Sequence, residues 1–136
     1  MEMALPAITL LSVTPIYVAL LGLIMVPITA RVGFYRVINK VDIGDGGDAT
    51  LLRLIRSQAN FVETVPLAAV LLVVMELMGA GDTWLHALGA TLVVARLLHY
   101  VGLSGMGPFL GRPLGMVGTF AVYLVGSGWI LYAALG

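Results

Sequence analysis

Residues 56–79 read RSQANFVETVPLAAVLLVVMELMG, a polar head followed by an apolar run. From Leu54 to Gly79 the stretch exceeds the ~20 residues that a helix needs to cross a bilayer. Within its head, Arg56, Asn60 and Glu63 are spaced by four and then three residues, which puts them on one helical face, and Arg53 extends that stripe by a turn. Guanidinium, amide and carboxylate groups at membrane depth are costly. Each has to be paired, hydrated by a cavity or engaged by a ligand, so the stripe is a functional-site hypothesis from the outset.

Three further apolar segments accompany this one, giving spans of about 6–30, 54–79, 84–103 and 114–135. The fold class expected is all-α, a four-helix transmembrane bundle in which residues 1–136 form one domain. The bulk composition agrees: 60% of the 136 residues are hydrophobic and 10% are charged, and the mean hydropathy is +1.06. A multi-pass integral membrane protein follows. The first apolar run is longer than a secretory h-region and has no Lys or Arg before it, so it reads as a retained helix.

The net charge is zero, which gives no pull toward nucleic acid. Placement says more than balance. Arg31, Arg36, Lys40, Arg53, Arg56, Arg96 and Arg112 all fall toward one side of four spans, whereas Glu2, Glu76 and Asp82 fall toward the other. The positive-inside rule then predicts cytoplasmic first and third connections, with both termini outside. Cysteine is absent, which excludes disulfides and a protein-borne thiol nucleophile. His86 and His99 match no ligand spacing, so no metal site is expected.

In the first connection, Asp42-Ile43-Gly44-Asp45-Gly46-Gly47-Asp48 reads as a tight loop and meets neither the phosphate-loop nor the calcium-loop pattern. Asp48 or Thr50 is the expected cap of the second helix. Pro15, Pro27 and Pro66 are expected to bend their helices. Gly111, Gly115, Gly118, Gly126 and Gly128 read as small residues that admit close helix approach, and Trp84 and Trp129 as interfacial belt residues.

Helix three supplies a second polar face, Arg96, His99 and Tyr100, at the depth of the first. If the two faces meet, Glu63 accepts from Arg96 or Arg56. Arg31 and Arg112 lie where connections close over the same space. Five guanidinium groups against one carboxylate call for an anion. Arginine favours carboxylates because its planar fork bonds both oxygens. Glu63 and Asn60 are suited to an ammonium or amide, so a small amphoteric guest with more than one carboxylate fits.

The pattern Arg56-x-x-x-Asn60-x-x-Glu63-x-x-Pro66, with Arg96 in helix three and Arg112 before helix four, resembles the MAPEG family, membrane-associated proteins in eicosanoid and glutathione metabolism. The resemblance covers nearly the whole chain. It implies a homotrimer with glutathione as co-substrate, bound toward the cytoplasm between subunits, and a lipophilic substrate arriving from the bilayer. By resemblance Arg56, Asn60, Glu63 and Arg96 are glutathione contacts, Arg31 matches an arginine after helix one, and Arg112 is the catalytic arginine that stabilises the thiolate. Arg53 and Tyr100 extend the binding set, and His99 joins it as a lining residue. His99 and Thr64 stand where the leukotriene-synthase branch has tyrosines, and Pro113 where the prostaglandin-synthase branch has serine. The chain thus looks more like the bacterial members, and a bacterial inner membrane is the expected location.

The activity implied is a glutathione transferase or peroxidase. Two other classes compete with it: a small proton-coupled multidrug-type transporter using Glu63, and a non-catalytic lipid-binding membrane protein.

Overall fold

The computed structural model describes residues 10–136, so Glu2 and Pro6 lie outside the described residues. Four helices follow in order: α1 Thr14–Asn39, α2 Ala49–Leu77, α3 Asp82–Ser104 and α4 Gly111–Leu135. All four are long and apolar enough to cross a membrane, and the described residues contain no strand. The central pair is α2 and α3, which touch each other and both flanking helices, whereas α1 and α4 do not meet. Outward faces carry Leu23, Val26, Val70, Val117 and Leu124 in exposed positions. Hydrocarbon, not water, is the medium such faces require.

The helix limits correct several expectations. α1 runs to Asn39, so Arg31 and Arg36 are helical and do not belong to the connection. Pro15 lies in the first turn of α1, where the missing N–H would have had no intrahelical partner, so it starts the helix and does not bend it. Pro27 and Pro66 are internal, as expected. Arg112 and Pro113 stand inside the first turn of α4, because Leu110 is the N-cap. The second helix begins at Ala49, five residues before the apolar span.

That early start has a local cause. The Asp48 carboxylate accepts from the amides of Thr50 at 2.8 Å and Leu51 at 3.1 Å, satisfying donors that the helix leaves free. The Tyr35 hydroxyl donates to its other oxygen at 2.8 Å, tying α1 to the cap. The Leu51 amide first, then the Tyr35 hydroxyl and the Thr50 amide, hold the Asp48 carboxyl below its ordinary 3.8. Since the folded value is the lower one, this stabilisation is complete above 3.8 and disappears as pH falls through the depressed value. Hydrogen-exchange protection of the Thr50 and Leu51 amides should therefore persist to below pH 3.8 in the wild type. In Asp48→Ala it should be lost already at neutral pH; retention there would show that the cap does not hold the turn.

At the opposite end, Glu76 does more than balance charge. Its carboxylate accepts from the backbone amides of Val13 and Thr14, each at 2.8 Å, and from Ser12 and the Thr14 hydroxyl. It thus caps α1 from another helix and anchors the last turns of α2. Nearby, the Tyr17 hydroxyl and His86 Nδ1 lie 2.9 Å apart.

Glycine decides how closely α3 and α4 approach. A Cβ at Gly102, Gly111, Gly115 or Gly118 would fall within 3.0 Å of the facing helix, at Gly115 against Ala95 O and His99. Gly126 allows ordinary contact and Gly128 faces open space, so the expected stripe is used only in its first half. Gly89 of α3 makes room in the same way for the Tyr17 ring of α1.

Candidate functional site

At the arginine end, the first turns of α2 and α4, the last turns of α3 and the 105–110 connection enclose a cavity of about 600 Å³. Small-ligand sites are usually about 300–1,000 Å³. Its wall includes Arg53, Arg56 and Asn60 from α2, His99 and Gly102 from α3, and Arg112 from α4. No carboxylate is among its lining residues. Leu52, Leu103 and Phe109 supply the apolar part.

Each polar member is there for a reason of helix phase. Arg53, Arg56 and Asn60 follow the 3–4 spacing along α2, while Leu51, Leu54, Ser57 and Phe61 take the buried face. Arg53 reaches across the mouth, its guanidinium close to where a Cβ would sit on Gly105, the left-handed cap of α3 at φ 81°. Arg112 stands at the positive pole of the α4 dipole, where a cation is disfavoured and an anion relieves both charges. His99 is buried to 3% exposure within the same wall.

Arg96 departs from the expected pairing. It is 1% exposed and lies behind the cavity, outside its lining. It donates to Asn60 Oδ1 at 2.7 Å and Thr64 Oγ1 at 2.8 Å on α2, and to Gly115 O at 3.2 Å and Met116 Sδ at 3.7 Å on α4. The two polar faces therefore do meet at one depth, but through amide and hydroxyl groups. Glu63 points to an exposed surface of α2 and accepts nothing from Arg96. The reason is angular: Asn60 and Thr64, four apart, share a meridian that Glu63 misses by most of a right angle.

Arg31 and Tyr100 also fall outside the cavity and approach each other, Nη1 to Oη, at 3.5 Å between α1 and α3. Of the expected set, Arg53, Arg56, Asn60, His99 and Arg112 are brought together around one space, while Arg96 supports it from behind. Glu63, Arg31 and Tyr100 are elsewhere in the chain. Sequence reasoning marked Thr64 only as a departure from the leukotriene-synthase branch and gave it no contact, though its i+4 relation to Asn60 was available as a signal. It passed over Tyr123, whose hydroxyl donates to the Thr64 carbonyl. Gly102, Gly105, Gly107 and Phe109 had no signal short of tertiary structure.

Residues 14–132 match the MAPEG family. The chain is also similar to Inner membrane protein YecN of Escherichia coli strain K12, with 36% identity over 114 residues that span 83% of this chain and 86% of that relative. The YecN protein of Escherichia coli O6:H1 matches with the same figures.

Proposed function

The chain belongs to the MAPEG family and is an integral membrane protein; from that premise we propose that it is a glutathione-dependent transferase or peroxidase acting on lipophilic electrophiles or hydroperoxides. The observation that carries this reading is the cavity walled by Arg53, Arg56 and Arg112 with no carboxylate in its lining. Glutathione at neutral pH has two carboxylates, one ammonium and a thiol. Arg53 and Arg56 receive carboxylates through their planar forks. Arg96 occupies Asn60 Oδ1, which leaves the Asn60 NH₂ free to donate to a peptide carbonyl.

In this reading Arg112 and the α4 amino terminus face the sulfur. A thiol is mostly protonated at neutral pH, and a guanidinium in a low-dielectric site favours the thiolate. The proton leaves to solvent at the open mouth. The thiolate then attacks an electrophilic carbon, expelling a leaving group with its bonding pair or, in conjugate addition, leaving a carbanion that takes a proton from solvent. Alternatively it attacks the terminal oxygen of a hydroperoxide, breaking the O–O bond to give glutathione sulfenic acid and an alkoxide that solvent protonates. A second glutathione then converts the sulfenic acid to the disulfide and water. No protein nucleophile is required; positioning and electrostatic stabilisation carry the step.

The same reading places the arginine end in the cytoplasm of a bacterial inner membrane, both termini outside, and assembles the chain as a homotrimer. There Glu63, Arg31 and Tyr100, which are outside the cavity of one protomer, reach the glutathione of a neighbouring one. Glu63 gains in this way the partner that an intramembrane carboxylate needs.

Calorimetric titration of the detergent-purified protein with glutathione, followed by ultraviolet absorbance of the thiolate, tests the reading. Arg112→Ala should bind glutathione within a few-fold of wild type, yet show about tenfold less thiolate at neutral pH, equivalent to one unit of thiol pKa. Absence of saturable binding to the wild type would falsify the proposal. Binding with neither thiolate nor turnover would make the protein a carrier or sensor.

A further inference from the structure

Lys40 is the only lysine in the chain and, among the described residues, the only non-glycine with positive φ, at 55°. It closes α1 in a left-handed cap, its amide donating to Val37 O and the following Val41 amide to Arg36 O at 3.1 Å. Glycine is the residue that normally takes this position, because a Cβ there is strained. A side chain kept at a cost needs a use.

A groove of about 530 Å³ opens beside it, lined by Gly33, Arg36, Val37, Lys40, Val41 and Asp42. Arg36 spends part of its guanidinium on the loop, donating to Gly44 O at 2.7 Å. The groove holds two cations and one carboxylate, a net charge of one positive. Around it Phe34, Val37, Ile38 and Ile43 are exposed, Ile43 to 90%.

Its depth follows from helix length. At 1.5 Å per residue, Arg36 and Lys40 stand roughly 33 and 39 Å from Thr14 along α1. With a hydrocarbon core of about 30 Å, a chain entering at Thr14 has left it by Arg36 and reaches the headgroup layer at Lys40. Phe34 then stands at the acyl boundary, Val37, Ile38 and Ile43 lie among the headgroups, and the two cations meet phosphates.

We propose that this groove is a phospholipid headgroup site selective for a singly anionic phosphodiester with hydroxyl donors, of the phosphatidylglycerol type. Lys40 and the free part of Arg36 hold the phosphate, and Asp42 accepts from a headgroup hydroxyl. Phosphatidylcholine supplies no donor for Asp42, and phosphatidylethanolamine lacks the net charge. The site is separate from the arginine cavity and does not depend on the activity proposed for it.

Native mass spectrometry of protein taken from nanodiscs of equal phosphatidylglycerol, phosphatidylethanolamine and phosphatidylcholine reads the retained lipid directly. The wild type should retain phosphatidylglycerol selectively, and Lys40→Gln should retain about fivefold less, the effect of one basic residue near an anionic headgroup. Lys40→Gly separates binding from folding: relief of the strained cap should leave the unfolding temperature equal or higher while retention falls. Equal retention in wild type and Lys40→Gln, a preference for phosphatidylethanolamine or phosphatidylcholine, or displacement of the lipid by millimolar inorganic phosphate would each overturn the proposal.

Discussion

Arg96→Leu is expected to lower the free energy of unfolding in mixed detergent micelles by about 2–4 kcal/mol, the range for stranding buried polar partners. The guanidinium is the one group that joins α2, α3 and α4 at a single point. Leucine matches the environment yet leaves Asn60 Oδ1 without its donor, and Thr64 Oγ1 keeps only its own bond to Asn60 O at 2.7 Å. Single interhelical hydrogen bonds in membranes average only about 0.6 kcal/mol. The larger figure rests on several being lost together. Arg96→Lys should recover part of the loss, since a point charge reaches one partner and not both helices. Glu63→Gln, on an exposed face, should change stability by no more than about 0.5 kcal/mol. Unfolding titrations of the three variants would refute the junction if Arg96→Leu proved as stable as Glu63→Gln.

Gly115→Val should be comparably damaging, by about 3 kcal/mol, because overpacking a close helix contact forces backbone to move. Its Cβ would overlap Ala95 O and the His99 backbone, neither of which has a rotamer to yield. Separation of α3 from α4 also withdraws the Gly115 carbonyl from Arg96 and moves His99 in the cavity wall. Stability and ligand affinity should therefore fall together in this variant. Gly128→Ala is the matched control: nothing lies within 4 Å of its Cβ, so the lost chain flexibility should leave stability unchanged or raised by up to about 1 kcal/mol. If Gly115→Val and Gly128→Ala unfold alike, close approach is not what holds α3 to α4.

Much of the architecture was readable from the chain because bilayer crossing is a nearly one-dimensional constraint. Twenty apolar residues in sequence must form a helix, and the four runs became four helices. The limits were less readable, since apolarity marks where hydrocarbon begins and not where hydrogen bonding ends. α1 continues past Ala30 to Asn39, and α2 starts at Ala49 because Asp48 caps it. The cavity was legible where two residues lie on one helix, as with Arg53 and Arg56. It was illegible where the contact depends on the rotation of one helix against another.

The amino-acid order alone determined that this is a four-helix membrane protein with its cations gathered at one end, because hydropathy and charge act residue by residue. It also determined that α2 and α3 carry polar faces at a common depth. Only the tertiary structure decided what those faces do to each other. Helix phase turned Asn60 and Thr64 toward Arg96 and left Glu63 outside, and the glycine contact of α3 with α4 drew Arg112 to the wall opposite Arg53 and Arg56. Phase and interaxial distance come from packing over many side chains at once, and no local pattern in the chain encodes them.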